Sequence, residues 1–407
     1  MKIAVIGGGA AGFFAAIACK SHNANVQVVI LEKTKKLLTK VKVSGGGRCN
    51  VTNSCSSISG LSKNYPRGER FLKKAFSKFY TKDTIEWFES RHVKLKVEPD
   101  NRMFPVSDNS QTIIDCLITE TKRLGIEIRM ESTVGKILKQ PNGFLLTVND
   151  ENIEIDKVIV TTGGNSKLTA YQWLADLGHK IEQPIPSLFT FNMPKESITS
   201  LMGVVVENAA VHIQGTKLKN QGALLITHWG MSGPAILKLS AFAASELNAR
   251  KYKFEIRVNW LGDMTENQLR EKLNLEFSDF KKRKMANKNP IGLPFRLWLY
   301  LLDKVKIPQE QVWDALPKKK FNQLVNIVLN DVFEVNGKTT FKEEFVTCGG
   351  VSLQDIDVNT MESKVCPGLY FSGEVMDIDG VTGGFNFQAA WTTGFIAGKS
   401  AATIAKK

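Results

Sequence analysis

Residues 2–32 constrain the fold more than any other part of the chain. A short β-branched run from Lys2 to Ile6 leads into Gly7-Gly8-Gly9-Ala10-Ala11-Gly12, then a helical pattern over Phe13 to Lys20, then an apolar run from Val26 to Leu31 that ends at Glu32. This is the strand, glycine turn, helix, strand, acid order of a dinucleotide-binding fold. Gly7 permits the tight turn, Gly9 lets backbone approach a pyrophosphate, and Gly12 lets helix and strand pack closely. Ala10 and Ala11 complete the turn, and the first N–H groups and positive dipole end of the helix that follows suit phosphate. Glu32, with Lys33 beside it, is placed to accept hydrogen bonds from a ribose diol. An acid there disfavours a 2′-phosphate, so FAD or NAD is preferred over NADP.

The motif does not exhaust the chain. At 407 residues the length calls for two or three domains. Lys157 to Thr162 is another buried-strand candidate, closed by Gly163-Gly164. Gly368 to Glu374 repeats the theme of a strand running into glycine and an acid, here Gly373-Glu374. Gly380-Val381-Thr382-Gly383-Gly384-Phe385-Asn386 follows, then a small-residue helix from about Phe387 to Ala402. Between these parts, Phe189 to Asn192, Val204 to Ile213, Leu224 to Thr227, Phe254 to Val258 and Phe333 to Val335 read as strands, and Asn267 to about Leu329 reads as helical. The expected fold is α/β: a Rossmann-like dinucleotide-binding domain built from both chain ends (1–188 and 348–407), interrupted by a β-barrel-like domain (189–265, returning at 331–347) that carries a helical subdomain (266–330).

Composition excludes several classes. A hydrophobic share of 43% with 23% charged residues is ordinary globular composition, not that of a disordered or fibrous chain. The six cysteines are scattered without a C-x-x-C pair or a histidine at zinc spacing, so neither a disulfide scaffold nor a structural metal is expected and a reducing cytoplasm is the expected compartment. The first nineteen residues imitate a secretory signal, but four glycines interrupt them. No run reaches the roughly 18 apolar residues of a membrane helix.

Longer motifs carry a resemblance. The segment Val43-Ser44-Gly45-Gly46-Gly47-Arg48-Cys49-Asn50-Val51-Thr52-Asn53 resembles the signature of one bacterial FAD-binding flavoprotein family within the glutathione-reductase-like group. Its members carry names such as aminoacetone-oxidase-type enzyme, bile-acid-ring reductase and ribosomal-RNA dihydrouridine synthase. Asn101 to Ser107, Thr227 to Pro234 and Gly373 to Gly394 match the same family in the same order. The resemblance implies a non-covalent FAD held by Gly7, Gly9, Gly12, Glu32, the loop from Arg48 through Cys49, Asn50 and Thr52 to Asn53, the turn at Thr162, Gly163 and Gly164, and the segment from Gly373 through Gly383, Gly384 and Phe385 to Asn386. Many such flavoproteins have Gly-Asp where this chain has Gly373-Glu374, which makes Asp377 and Asp379 alternatives to Glu374 on the ribityl chain.

Two residues are candidates for proton transfer. Cys49 follows Arg48 in the glycine loop, where the guanidinium could lower the thiol pKa or the thiol could protonate a carbon acid; equally, it could be a small residue that packs the loop. His228 is expected at a strand-to-helix turn of the inserted domain, and imidazole suits proton transfer near neutrality. It could equally do no more than hydrogen-bond the turn. Gly394 to Ser400 resembles a P-loop but is one residue short and lies inside a helical stretch.

Net charge is +14, and Lys33 to Lys82 holds thirteen Lys or Arg against one acid, a local balance of +12. Phe71, Phe76, Phe79, Tyr80 and Trp87, interleaved there, read as helix core before they read as base-stacking platforms. The charge predicts a large anionic substrate, and together with the resemblance it makes ribosomal RNA the leading partner; NADH or NADPH is expected as a transient donor, since no second dinucleotide motif occurs. The competing expectations are a small-molecule flavin oxidase or reductase, such as an aminoacetone oxidase, and a non-enzymatic ribosome-assembly flavoprotein.

Overall fold

The computed structural model describes residues 1–339 and 346–404, which fall into two compact units. The first comprises 1–187 with the chain from 346 onward; the second comprises 188–339.

The first unit is built on a five-stranded parallel sheet. Its strands are β1 (Lys2–Ile6), β2 (Gln27–Leu31), β3 (Glu127–Arg129), β4 (Lys157–Val160) and β5 (Leu369–Phe371), in the spatial order β5-β4-β1-β2-β3. Ile3, Ala4, Val5 and Ile6 of β1 are buried, as a parallel strand covered on both faces requires. Helix α1 (Ala10–His22) crosses from β1 to β2, and helix α2 (Phe385–Ala402) packs against it. Small residues set that approach: a Cβ on Gly398 would lie 2.2 Å from the Ala15 carbonyl, and one on Gly394 would lie 2.9 Å from that of Ala11. The P-loop-like Gly394 to Ser400 is therefore helix interior, and its glycines serve packing. Three antiparallel strands over 134–155, absent from the expectations above, precede β4; the short apolar run from Phe144 to Leu146 was their available signal, and Phe144, Leu146 and Val148 are buried.

The second unit holds a seven-stranded sheet in the order Asp331–Asn336, Lys253–Asn259, Val205–Ile213, Lys219–Thr227, Gly230–Ser232, Thr190–Asn192, Lys338–Thr339. Among the described residues no pairing joins the two ends, so the sheet is open and the expected barrel does not close. Strand Lys253–Asn259 alternates, with Phe254, Ile256 and Val258 buried. Helices Phe295–Lys304 and Lys318–Leu329 bury Leu297, Trp298, Leu301 and Leu302, and Leu324, Val325, Val328 and Leu329, in the same apolar core. Each such side chain contributes about 1.5–3 kcal/mol of transfer free energy. No helix among the described residues is long and apolar enough to cross a membrane, and no group of three or more His, Cys, Asp or Glu is placed to hold a metal ion.

Candidate active site

Three glycine-bearing turns lie at the carboxyl ends of β1, β4 and β5. The strand order reverses direction between β1 and β4, where open parallel sheets bind ligands. Gly7 has φ +115°, and a Cβ there would lie 2.5 Å from the Thr161 carbonyl. A Cβ on Gly12 would lie 2.0 Å from the Gly7 carbonyl. Both glycines are thus required by the chain itself. Gly9 is different: its backbone is extended (φ −93°) and nothing lies within 4 Å of its missing Cβ. No contact inside the protein demands glycine at position 9. Its smallness leaves room for a group approaching the opening of α1, where Gly9 supplies no side-chain cap and the N–H groups of Ala10, Ala11 and Gly12 lack partners within the helix.

Glu32 lies beside this opening. Its Oε2 accepts from Gly8 N–H at 2.8 Å, and its Oε1 accepts from the N–H and hydroxyl of Thr34, each at 2.9 Å. Each oxygen keeps further acceptor capacity for a diol. Lys33 and Thr162 are exposed. Thr161, one residue before Thr162, was missed by sequence reasoning and ties the crevice together, its hydroxyl donating to the carbonyls of Ile6 (2.9 Å) and Gly7 (3.0 Å). Gly163 (φ +72°) faces open space, whereas Gly164 sits against Glu374, whose Oε1 would be 2.7 Å from a Cβ.

The glycine loop breaks the helical stretch Thr39–Gly47: Ser44 has ψ 149°, and Gly45, Gly46 and Gly47 follow with φ of +58°, +70° and +85°. A side chain would be strained at all three. Asn50, with its amide nitrogen toward the Thr52 carbonyl (3.0 Å), accepts from Gly384 N–H (2.9 Å). Asn53 donates to the Gly383 carbonyl at 3.1 Å, and the Thr52 hydroxyl donates to Gln388 at 2.5 Å. These three side chains fasten the loop to the start of α2. Asn386 exchanges a reciprocal pair of 2.8 Å bonds with Gly380, and the Phe385 carbonyl accepts from Tyr65 at 2.7 Å.

Of the two readings of Cys49, burial favours the packing one, and Arg48 does not act on the thiol. The guanidinium donates to Glu98 at 2.6 Å, lies 3.4 Å from Asp108 and covers the Phe104 ring at 4.0 Å. Those acids, rather than the thiol, are its partners. Cys49 is 0% exposed in a left-handed conformation (φ +64°), and burial pushes its thiol up to about 12, partly offset by a hydrogen bond from Ser44. It is a protonated packing thiol, neither activated nor accessible.

The carboxylates after β5 are also engaged. Glu374 accepts from Lys40 Nζ at 2.6 Å and from Thr347 N–H at 3.0 Å, and Gly373 N–H donates to Thr393 at 3.0 Å. Asp377 accepts from Gly349 N–H at 2.9 Å, and burial raises its carboxyl. Asp379 is buried on a two-point contact with Arg67 and accepts from Ser187 at 2.5 Å. Burial raises its carboxyl and the Arg67 charge opposes that. Lys40 and Arg67 had no local sequence signal, because their partners lie 334 and 312 residues away.

His228 belongs to the second unit. It occupies the tip of a tight hairpin rather than a strand-to-helix turn: Thr227 pairs with Gly230, and the helix Pro234–Phe242 begins only after strand Gly230–Ser232. Its ring is exposed and meets Trp229 edge-on at 4.2 Å. Phe76 and Phe79 are core residues, as expected, and Phe79 stacks on Phe395 at 4.6 Å. A cleft of about 680 Å³, lined by Met1, Lys2, Gln27, Asn142, Phe144 and Asp156 among others, opens at the amino ends of the strands. It lies at the end of the sheet opposite the glycine turns, so volume does not mark the chemistry.

Comparison with known proteins agrees with this geometry. The chain is 27% identical to a 3-dehydro-bile acid delta(4,6)-reductase of Clostridium scindens, over 98% of this chain and 99% of the relative. It is 29% identical to the ribosomal RNA dihydrouridine synthase of Escherichia coli, over 96% and 95% of the two chains. Among solved structures, a 3-ketosteroid-delta4-(5alpha)-dehydrogenase from Rhodococcus jostii RHA1 shares the fold at a TM-score of 0.51 and 12% identity, covering 99% of this chain and 96% of that one. Residues 1–400 match the family described as HI0933-like protein Rossmann domain, and the chain belongs to that family of FAD-dependent oxidoreductases.

Proposed function

We propose that this protein uses electrons from NADH or NADPH to add a hydride and a proton across a C=C bond conjugated to a carbonyl, and that its substrate is a uridine in large-subunit ribosomal RNA, which becomes dihydrouridine. One observation carries the reaction class. The relatives matched along nearly the whole chain are named for a bile-acid ring reduction and for dihydrouridine formation, and both names describe saturation of a ring C=C conjugated to a carbonyl.

The residues fit FAD. The N–H groups opening α1 would hold its pyrophosphate, Glu32 its ribose hydroxyls, and the turns at Gly46, Gly47 and Gly163 leave open space for its approach. FAD supplies the hydride-transfer chemistry when bound. The chain's own part is to position and to protonate. Asn50, Thr52 and Asn53 hold the glycine loop on α2, so backbone rather than mobile side chains borders the site. The Cys49 thiol has no exposed surface, so it is not the proton donor of this reading.

The exposed basic side chains Arg70, Lys73, Lys74 and Lys82 support RNA as substrate. The match to the bile-acid reductase supports a second reading, a small cyclic enone. The test is anaerobic incubation of NADH- or NADPH-reduced protein with ribosomal RNA lacking dihydrouridine, followed by mass mapping. The expected result is a gain of two hydrogens at one uridine. Unchanged RNA together with reduction of a 3-dehydro bile acid would select the second reading, and a flavin that neither nucleotide reduces would overturn the electron donor.

A further inference from the structure

We propose that the helical part of the second unit carries a single-stranded RNA contact of its own, in which Lys281, Lys282, Lys318 and Lys319 meet phosphates and Phe277 stacks on a base; this role rests on the RNA reading above. Two chain segments build the surface. Residues 277–288 and 310–320 together hold eight Lys or Arg against three acids, so an excess of positive charge survives any pairing between them. The segments lie side by side: Met285 N–H donates to the Gln311 carbonyl (2.8 Å), Trp313 N–H to that of Arg283 (3.2 Å) and Asp314 N–H to that of Lys281 (2.9 Å). Phe280, Met285 and Trp313 are buried in the core of the unit. The indoles of Trp298 and Trp313 donate to the carbonyls of Met285 (2.7 Å) and Lys288 (3.2 Å). Lys281, Lys282, Arg283, Lys284, Lys318 and Lys319 are left exposed on a backbone fixed by these bonds.

The fold does not account for these charges. Lys284 pairs with Glu310, and Lys320 donates to the Val305 carbonyl at 2.6 Å. Lys281, Lys282, Arg283, Lys318 and Lys319 form no ion pair among the described residues. Lys318 and Lys319 stand against the fold's own electrostatics. They open helix Lys318–Leu329, whose first turn holds no acid, and cations are unfavourable at that end of a helix dipole. A polyanion lying across the patch offsets that repulsion. One helical turn before Lys281 stands Phe277, 37% exposed, whose carbonyl accepts from Lys281 N–H at 2.9 Å. Basic side chains beside an exposed aromatic ring match the phosphates and the π-face of an unpaired nucleotide. An anionic bilayer fits less well. Leu275 is exposed near Phe277, but helices Phe295–Lys304 and Lys318–Leu329 bury their apolar rows in the core, whereas a bilayer surface site needs such a row exposed.

The test uses full-length holoenzyme and a fluorescein-labelled oligouridylate, whose anisotropy gives the dissociation constant across a KCl series. Lys281→Gln, Lys282→Gln, Lys318→Gln and Lys319→Gln combined are expected to lower the salt slope by about 3, one phosphate for each side chain. The urea midpoint of that variant is expected to stay level or rise, since two cations leave the opening of a helix. Phe277→Ala is expected to weaken binding about tenfold at an unchanged slope, and Phe277→Tyr to bind within about twofold of wild type. An unchanged slope in the fourfold variant overturns the proposal. So does a lowered midpoint, because the lysines would then serve the fold. Equal affinity in Phe277→Ala, or a loss that Phe277→Tyr shares, overturns the stacking contact. Full oligonucleotide binding by the fourfold variant, with lost binding to phosphatidylglycerol vesicles, assigns the patch to a membrane and overturns the RNA contact. Wild type that binds neither the oligonucleotide nor ribosomal RNA overturns the RNA reading itself, and that outcome is visible before any variant is compared.

Discussion

Residues 33–67 carry eight basic side chains and residues 70–82 carry five, yet the two stretches use them differently. In the first, Arg67 is half-buried against the buried Asp379, Arg48 is held by Glu98 and Asp108, Lys40 by Glu374, and Lys35 by Glu131. All of these acids come from outside the window in which the +12 was counted. In the second, Arg70, Lys73, Lys74 and Lys82 are exposed on the outer face of helices whose inner face buries Leu72, Ala75, Thr84 and Phe88. Lys78, also exposed, donates to the Asn359 carbonyl. Positive charge in a sequence window becomes an external field only where the fold brings no acid to it.

The largest effect expected from breaking this contrast is at Arg67. Arg67→Leu would leave Asp379 buried without its counter-charge, and removing one partner of such a pair costs about 3–5 kcal/mol. Urea denaturation would measure it; a loss below about 1 kcal/mol would mean that the pair does not hold the segment after β5 in place. In the second stretch the expectation is reversed. Replacing Arg70, Lys73 and Lys74 by Gln should leave stability within about 0.5 kcal/mol, yet reduce the salt slope of RNA binding by about 2 if each side chain meets one phosphate of a single strand. An unchanged slope would remove this face from the RNA interface.

The smallest effect concerns Cys49. Its thiol is raised from 9.0 to about 12 by burial, so between those values the folded state keeps a proton that the unfolded chain has lost. The stabilisation is therefore fully present below about pH 9 and is lost as the pH rises toward 12. Wild type should lose about 1 kcal/mol more than Cys49→Ala between pH 8 and pH 10. Equal losses would mean that the thiol ionises in the fold, as it would if Arg48 acted on it rather than on Glu98 and Asp108.

The parts legible in the sequence were those whose physics is local. The turn at Gly7, the opening of α1 at Gly9 and the strand leading to Gly163 follow from backbone conformation and apolar periodicity within a few residues. The site's polar wiring was not legible. Glu374, a candidate ribityl ligand from its sequence position, is occupied by Lys40, and nothing near Asp379 in the chain announces Arg67. Likewise the sequence left Cys49 open between activation by Arg48 and packing, and the acid segment at residues 98–108 draws the guanidinium away.

The sequence by itself determined that a dinucleotide-binding crevice forms and which glycines shape it, because left-handed turns and close helix–strand approaches admit little else. Only the tertiary structure decided which charges are neutralised and which thiol is sealed. Those properties depend on burial and on residues hundreds of positions apart, and electrostatic and hydrogen-bond energies respond to distance and desolvation rather than to order along the chain.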